Sequence, residues 1–360
     1  MKKQIDTHYI YLDTSIFIKE NFFAGNKLKA FFKHAQNSDI ELLITDITLN
    51  ESIANLEKSA RESYSVLKRS LKEIDTKSKT FKNIESLNDL FRLHDTFAFE
   101  KELATLQDSF RQQIKNNFCT IELDSEVSLK IIADYFNQNP PFKDGKKKSE
   151  FPDAFVLNSL EAWCKKNEEK IYIVSDDDDI ISYKSDYLLP IKHYDKLLDQ
   201  ISYTYSDDNI LPKVEDIITK SEEGIIKAIK EEFFNQFPFD GFDQHQGYEY
   251  QINSLDEINA NIESHSVLYF YYNTASVELI VPIDYSMDVS YEDKSMGWYD
   301  KEDELWYNTE SYRETISGES VLKVIIKVTI ELPGKPLYGY EDTWEFVEIS
   351  SGVPTDIAID

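Results

Sequence analysis

The sequence predicts an α/β fold in which a parallel sheet is flanked by helices, followed by a C-terminal, mainly antiparallel β (α+β) domain. Three observations predict it. In the first half, short apolar strand-like runs alternate with segments of helical period; beyond Phe239 the period falls to two; and the halves differ sharply in charge. With 360 residues the chain exceeds one ordinary core, so two domains are expected. The expected boundaries are 1–203 for the α/β domain, with a helical insertion at about 56–117, then 204–238 as linker and helix, and 239–360 as an acidic, mainly-β domain.

The first element is the apolar run Tyr9 to Leu12, which ends at Asp13-Thr14-Ser15 and passes into helical spacing from Ile16. A second strand, Ile40 to Ile44, is followed by Thr45-Asp46, which can cap a helix carrying Glu51 on its first turns. From Leu56 to Asn117 the chain is rich in Lys, Glu and Leu without Pro or Gly, as two or three long helices would be. Residues 125–137 are helical, and the segment from Asn139 to Asp153 is a loop broken by Pro140, Pro141, Gly145 and Pro152. An amphipathic helix over Ala154–Cys164 precedes the strand Lys170–Ser175, which stops at four aspartates, Asp176 to Asp179. The strand Leu188–Ile191 and a helix around Asp195–Ile201 complete the alternation. Residues 204–212 read as a linker, 213–236 as one charged helix, and four period-two strands follow within 267–349.

Charge narrows the function classes. A net of −28 argues against a protein that coats nucleic acid, since phosphate binding uses clustered Lys and Arg. Residues 1–200 hold 29 Lys and Arg against 34 Asp and Glu, a net of −5, and residues 201–360 hold 10 against 33, a net of −23. The objection therefore applies to the second half far more than to the first. The start has neither the apolar stretch nor the cleavage site of a signal peptide, and no run approaches the roughly 18 apolar residues of a membrane span. Two cysteines, Cys119 and Cys164, form no disulfide framework and are expected to be small buried hydrophobes. The expected location is cytoplasmic.

In an open parallel sheet, ligands bind beyond the carboxyl ends of the strands. Asp13 and Asp177 follow strands, Glu51 lies a helical turn beyond one, and Asp153 opens the helix before the strand that carries Asp177. All four can meet at one edge. Clustered carboxylates repel unless protons or a cation neutralise them, and oxygen donors suit hard cations, so Mg²⁺ or Mn²⁺ is the expected cofactor. The chemistry natural to such a site is phosphodiester hydrolysis.

The segments YLDTS at 11–15, ITLNE at 47–51, KKKSEFPDAFVL at 146–157 and IVSDDDD at 173–179 resemble, in order and spacing, the motifs of the PIN-domain nucleases, within them the larger PIN-like proteins with a helical insertion. The resemblance spans about residues 8–203 and implies a PIN-like sheet. By position it implies metal-binding and catalytic roles for Asp13, Glu51, Asp153 and Asp177, with Asp179 as an auxiliary metal ligand and Asp176 as rival to Asp177. It further implies a nucleic-acid substrate, single-stranded RNA ahead of DNA, and a toxin or defence role. About a hundred residues between Glu51 and Asp153 depart from compact family members.

Other readings stand beside these. Asp13 can act simply as a helix cap, as can Thr14 and Ser15, whose hydroxyls are also placed to steady a metal-bound water or a phosphate. Lys146, Lys147 and Lys148 form the densest basic run and, together with Ser15, are the expected substrate-binding residues. The six histidines lack zinc-ligand spacing, and no Gly-rich nucleotide loop occurs. Tyr269 to Tyr272 are expected to pack a core rather than to stack bases. The rivals to an RNase are a single-strand or structure-specific deoxyribonuclease and an inactive scaffold that binds protein. For the acidic domain the expected partner is a protein or regulator, unless the domain imitates nucleic acid and occludes the groove; homo-oligomerisation is left open.

Overall fold

The computed structural model describes residues 4–77, 80, 83–85, 97–122, 127–137, 142, 151–205, 210–237, 240–242, 249–271, 273–294, 296–300, 305–330 and 342–354. The chain forms two compact units, residues 1–201 and 202–360. Among the described residues, no helix is long and apolar enough to cross a membrane.

In the first unit, β1 (Tyr9–Leu12), β2 (Glu41–Thr45), β3 (Phe118–Ile121), β4 (Ile171–Val174) and β5 (Leu188–Ile191) form a wholly parallel sheet in the order β3-β2-β1-β4-β5. Its central strands are short apolar runs because helices cover both faces. Ile10, Tyr11, Leu12, Leu42, Leu43, Ile44, Ile171, Ile173 and Val174 are all buried. The helices are α1 (Thr14–Lys19), α2 (Asn26–Gln36), α3 (Asp46–Lys77), α4 (Phe99–Asn117), α5 (Val127–Asn137), α6 (Phe151–Asn167), α7 (Asp178–Ile181) and α8 (Tyr194–Tyr205).

The expected helical insertion resolves, among the described residues, into α4 and the distal part of α3, which runs without a break from the turn that bears Glu51. The strand β3 has no counterpart in the sequence reading. Its four residues follow a long helical pattern directly and occupy the sheet edge. That edge position also corrects the expectation for Cys119, which is exposed, whereas Cys164 is buried as expected.

In the second unit, α9 (Ile210–Lys220) and α10 (Glu222–Gln236) precede β6 (Asp240–Phe242), β7 (Glu249–Ala260), β8 (Ser264–Tyr271), β9 (Thr274–Asp293), β10 (Trp298–Asp300), β11 (Leu305–Tyr307), β12 (Glu310–Thr329) and β13 (Thr343–Ser351). The sheet runs β13-β12-β9-β7-β6, with β8 also on β9 and every described pairing antiparallel. One core joins Val214, Ile225, Ile229 and Phe233 of the helices to Val277, Leu279, Leu322 and Val324 of the strands.

Residues 210–212, read from sequence as linker, open a buried helix, and the single helix read over 213–236 is two, broken at Ser221. Pro212 misled because it sits in the first turn of α9, where its missing N–H costs no helical hydrogen bond. The strand β7 escaped notice because register shifts between Ile252 and Ser254 and between Leu255 and Glu257 interrupt its alternation. Of the aromatic run near 270, Phe270 packs against the core and Tyr271 is exposed, while Tyr272 lies outside the described residues.

Gly318 on β12 faces Tyr285 on β9, and a Cβ there would lie 2.5 Å from that ring. The ring cannot swing away freely, because Phe233 and Phe237 pack on it at centroid distances of 5.5 and 5.1 Å. Gly318→Ala is therefore expected to destabilise the second unit by about 1–3 kcal/mol. Urea denaturation followed by far-UV circular dichroism checks this, and an unchanged midpoint would contradict the packing described.

Candidate active site

The chain leaves β1 for β2 and β3 on one side and returns to β4 and β5 on the other, so the sheet's switch point lies between β1 and β4. A crevice opens there, beyond the strands' carboxyl ends. Leu12 pairs with Val174, and the Asp13 N–H donates to the Val174 carbonyl at 3.0 Å. The two acid-bearing strand ends are thus fixed side by side by backbone alone.

Side chains then fix the first carboxylate. Asp13 caps α1, its Oδ2 accepting from the Ser15 N–H at 3.1 Å, the Ser15 hydroxyl at 2.6 Å and the Ser175 hydroxyl at 2.9 Å. Ser175 is fully buried and also accepts from the Asp177 N–H at 3.0 Å; Ser15 Oγ accepts from the Asp176 N–H at 3.0 Å. Three donors on one oxygen hold Asp13 in a single orientation and leave its Oδ1 outside this network.

Glu51 is half-buried on α3 and accepts from the Thr14 hydroxyl at 3.2 Å. Burial pushes its pKa up, opposed by the Thr14 hydrogen bond and assisted by the Asp13 charge. Beneath it Thr45 and Thr48 share a buried hydrogen bond of 2.9 Å, and the Tyr11 hydroxyl bonds to Thr48.

Asp153 lies in the first turn of α6, and its carboxyl is pushed up to about 7. Burial is the largest cause, followed by the charges of Asp13, Asp177, Glu51 and Asp179. The four expected acids therefore share one electrostatic environment, and Asp179 belongs to it. Among the described residues, no group of three or more His, Cys, Asp or Glu side chains closes to chelating distance. The convergence is read instead in the field these acids exert on Asp153.

The aspartate run separates by partner. Asp176 pairs with Lys19 at 2.7 Å and Asp178 pairs with Lys192 at 2.7 Å. Asp177 caps α7 by accepting from the Asp179 N–H at 2.7 Å and is exposed. The short helix turn thus sends alternate members of the run in different directions: 177 and 179 act on Asp153, and 176 and 178 meet lysines.

The donor set fits a divalent cation in kind: carboxylate oxygens, one of them raised to about 7 by burial and by the charges of its neighbours, beside an exposed carboxylate. Ser15 is half-buried, and its hydroxyl donates to Asp13. Lys146, Lys147 and Lys148 lie outside the described residues. Sequence reasoning missed Ser175, Lys19 and Lys192. A serine closing an apolar strand was a visible signal for the first; no sequence signal pointed to the lysines, whose partners are 157 and 14 residues away.

Compared with known proteins, residues 10–180 match the family model described as PIN domain. Neither the curated proteins nor the solved structures give a match.

Asp153 has a folded pKa raised above its ordinary value of 3.8. Its contribution to stability is thus fully present below about pH 4 and is lost as pH rises through about 7. In metal-free protein, Asp153→Asn removes that loss. The melting temperature of the variant relative to the parent is expected to rise between pH 4.5 and 8, and a constant difference would contradict the shared acidic environment.

Proposed function

The chain belongs to the PIN-domain family through residues 10–180, and from that premise we propose that it is a metal-dependent endoribonuclease acting on single-stranded RNA. The observation that carries the reading is the Asp13 carboxylate locked by Ser15 and Ser175 at the switch point of the sheet, which shares its surroundings with Glu51 and, through the charges that raise Asp153, with Asp177 and Asp179. The nuclease-type fold is that of the family; substrate and role are this proposal's own.

In this reading Asp13, Glu51, Asp153 and Asp177, with Asp179 as auxiliary, hold Mg²⁺ or Mn²⁺. When bound, such an ion lowers the pKa of water and stabilises charge on the phosphate oxygens. The protein's contribution is orientation and charge. Ser15 and Ser175 lock Asp13, Thr14 steadies Glu51, and the Asp177 cap fixes the turn of α7. Asp153, whose carboxyl is pushed up to about 7, would release its proton on holding the ion.

Lys19 and Lys192 neutralise Asp176 and Asp178 beside the site, and their side chains are 46% and 43% exposed. At that rim they are suited to backbone phosphates, while Asp176 serves as a lysine anchor rather than a ligand. Lys146 to Lys148 and Ser15 remain proposed substrate contacts by their place in the sequence. RNA is placed ahead of DNA on the family's habit, and a toxin or defence role rests on the same ground. A deoxyribonuclease remains the second reading, because this site chemistry does not discriminate between the two backbones.

Labelled single-stranded RNA and DNA incubated with Mn²⁺, Mg²⁺ or EDTA test the proposal. RNA cleavage is expected only with metal. Asp13→Asn and Asp177→Asn are expected to lose at least about a hundredfold, Ser175→Ala about 10- to 100-fold as an outer-shell support, and Asp176→Asn far less. Cleavage that survives EDTA, or Asp13→Asn and Asp177→Asn variants as active as the parent, would sink the nuclease reading. Faster cutting of DNA would transfer the assignment to the second.

A further inference from the structure

The ribbon formed by β10 and β11 carries an unusual set of side chains. Trp298 lies opposite Tyr307 and Tyr299 opposite Trp306, so the two pairs stand on opposite faces. The first pair is stacked, with centroids 4.8 Å apart at 20°, and the second is tilted at 5.5 Å. All four are exposed, at 56% for Trp298, 45% for Tyr299, 42% for Trp306 and 38% for Tyr307. Scattered surface aromatics need no explanation, but a stacked Trp298–Tyr307 pair, exposed on one face of a short ribbon, is of the kind that marks an interface.

The surrounding charge selects the occupant. Between residues 291 and 312 the sequence holds seven Asp and Glu against two Lys, within a half whose net is −23. Such a field opposes nucleic-acid phosphates and opposes an identical ribbon from a second copy. It favours guanidinium and ammonium groups, which also stack on indole and phenol faces. The ribbon already shows this contact internally, because Lys294 Nζ lies 5.8 Å from the Trp306 ring centroid.

We propose that the face of the β10–β11 ribbon bearing Trp298 and Tyr307 is a docking site for an arginine- or lysine-rich protein segment, which stacks on that aromatic pair beside Asp300 of the same face. This assignment is independent of nuclease activity and stands or falls apart from it.

Nona-arginine peptide, added to the full chain at about 0.15 M salt so that surface charge is screened, is a suitable probe. In ¹⁵N-labelled protein, the indole resonance of Trp298 is expected to shift, while those of Trp163 and Trp344 stay in place. Trp298→Ala is expected to weaken binding about tenfold or more, whereas Glu345→Gln/Glu348→Gln on β13 changes it less than about twofold. Unchanged affinity in the tryptophan variant, or shifts confined to Trp163 and Trp344, would overturn the proposal. So would a dimer of the parent chain that the tryptophan variant disperses, or indole shifts produced by single-stranded RNA instead of the peptide. The indole measurement on the parent chain decides the matter even if the Trp298→Ala variant fails to fold.

Discussion

The site depends on one contact: the carboxylate of Asp13 held by Ser15 and Ser175 where β1 meets β4. Adjacent parallel strands bring residue 13 beside residue 175, although 162 residues separate them in sequence. The sheet order makes this junction the switch point, and the hydroxyls convert a backbone coincidence into a defined carboxylate direction. The rest follows from that anchor. The Ser175 hydroxyl passes the constraint to the Asp177 backbone, Ser15 passes it to Asp176, and Thr14 reaches Glu51 on α3.

Such an arrangement concentrates like charge, and the structure manages it in two ways. Where an acid is not wanted in the cluster, a lysine takes it, as Lys19 does for Asp176 and Lys192 for Asp178. Where the acids remain, the charge is relieved by protonation, and Asp153 bears most of that burden because it is the buried one. The proposed cation site would account for a buried Asp153 carboxyl raised to about 7 beside four other acids. Its neighbours Asn158 Oδ1 and Ser159 Oγ, on the same helix, are buried without a protein partner, so α6 carries further polar atoms close in sequence to that acid.

Much of the α/β unit was legible because parallel strands buried on both faces must be short apolar runs, and Tyr9–Leu12, Glu41–Thr45 and Ile171–Val174 are such runs. The acids were legible because each sits where a strand ends or a helix begins. The edge strand β3 was not, being four residues with its middle two exposed. Nor did the sequence distinguish the four aspartates: their separation depends on the turn of α7 and on lysines distant along the chain, which no local pattern encodes. In the second unit, alternation revealed β9 and β12, while the bulges of β7 and the first-turn Pro212 of α9 concealed elements whose side chains complete the same core.

The two units differ in surface chemistry: the first holds a nearly balanced charge around a small acidic centre, and the second is strongly acidic, with an exposed aromatic ribbon. The account rests on the acids of the first unit acting as one cation site. Titration of the full chain with Mn²⁺, followed by the electron paramagnetic resonance signal of the free ion, tests that most directly. The account predicts saturable binding that strengthens as pH rises through about 7 and is lost in Asp13→Asn and in Asp153→Asn, but kept in Asp176→Asn. Equal binding by the parent and Asp13→Asn would contradict it.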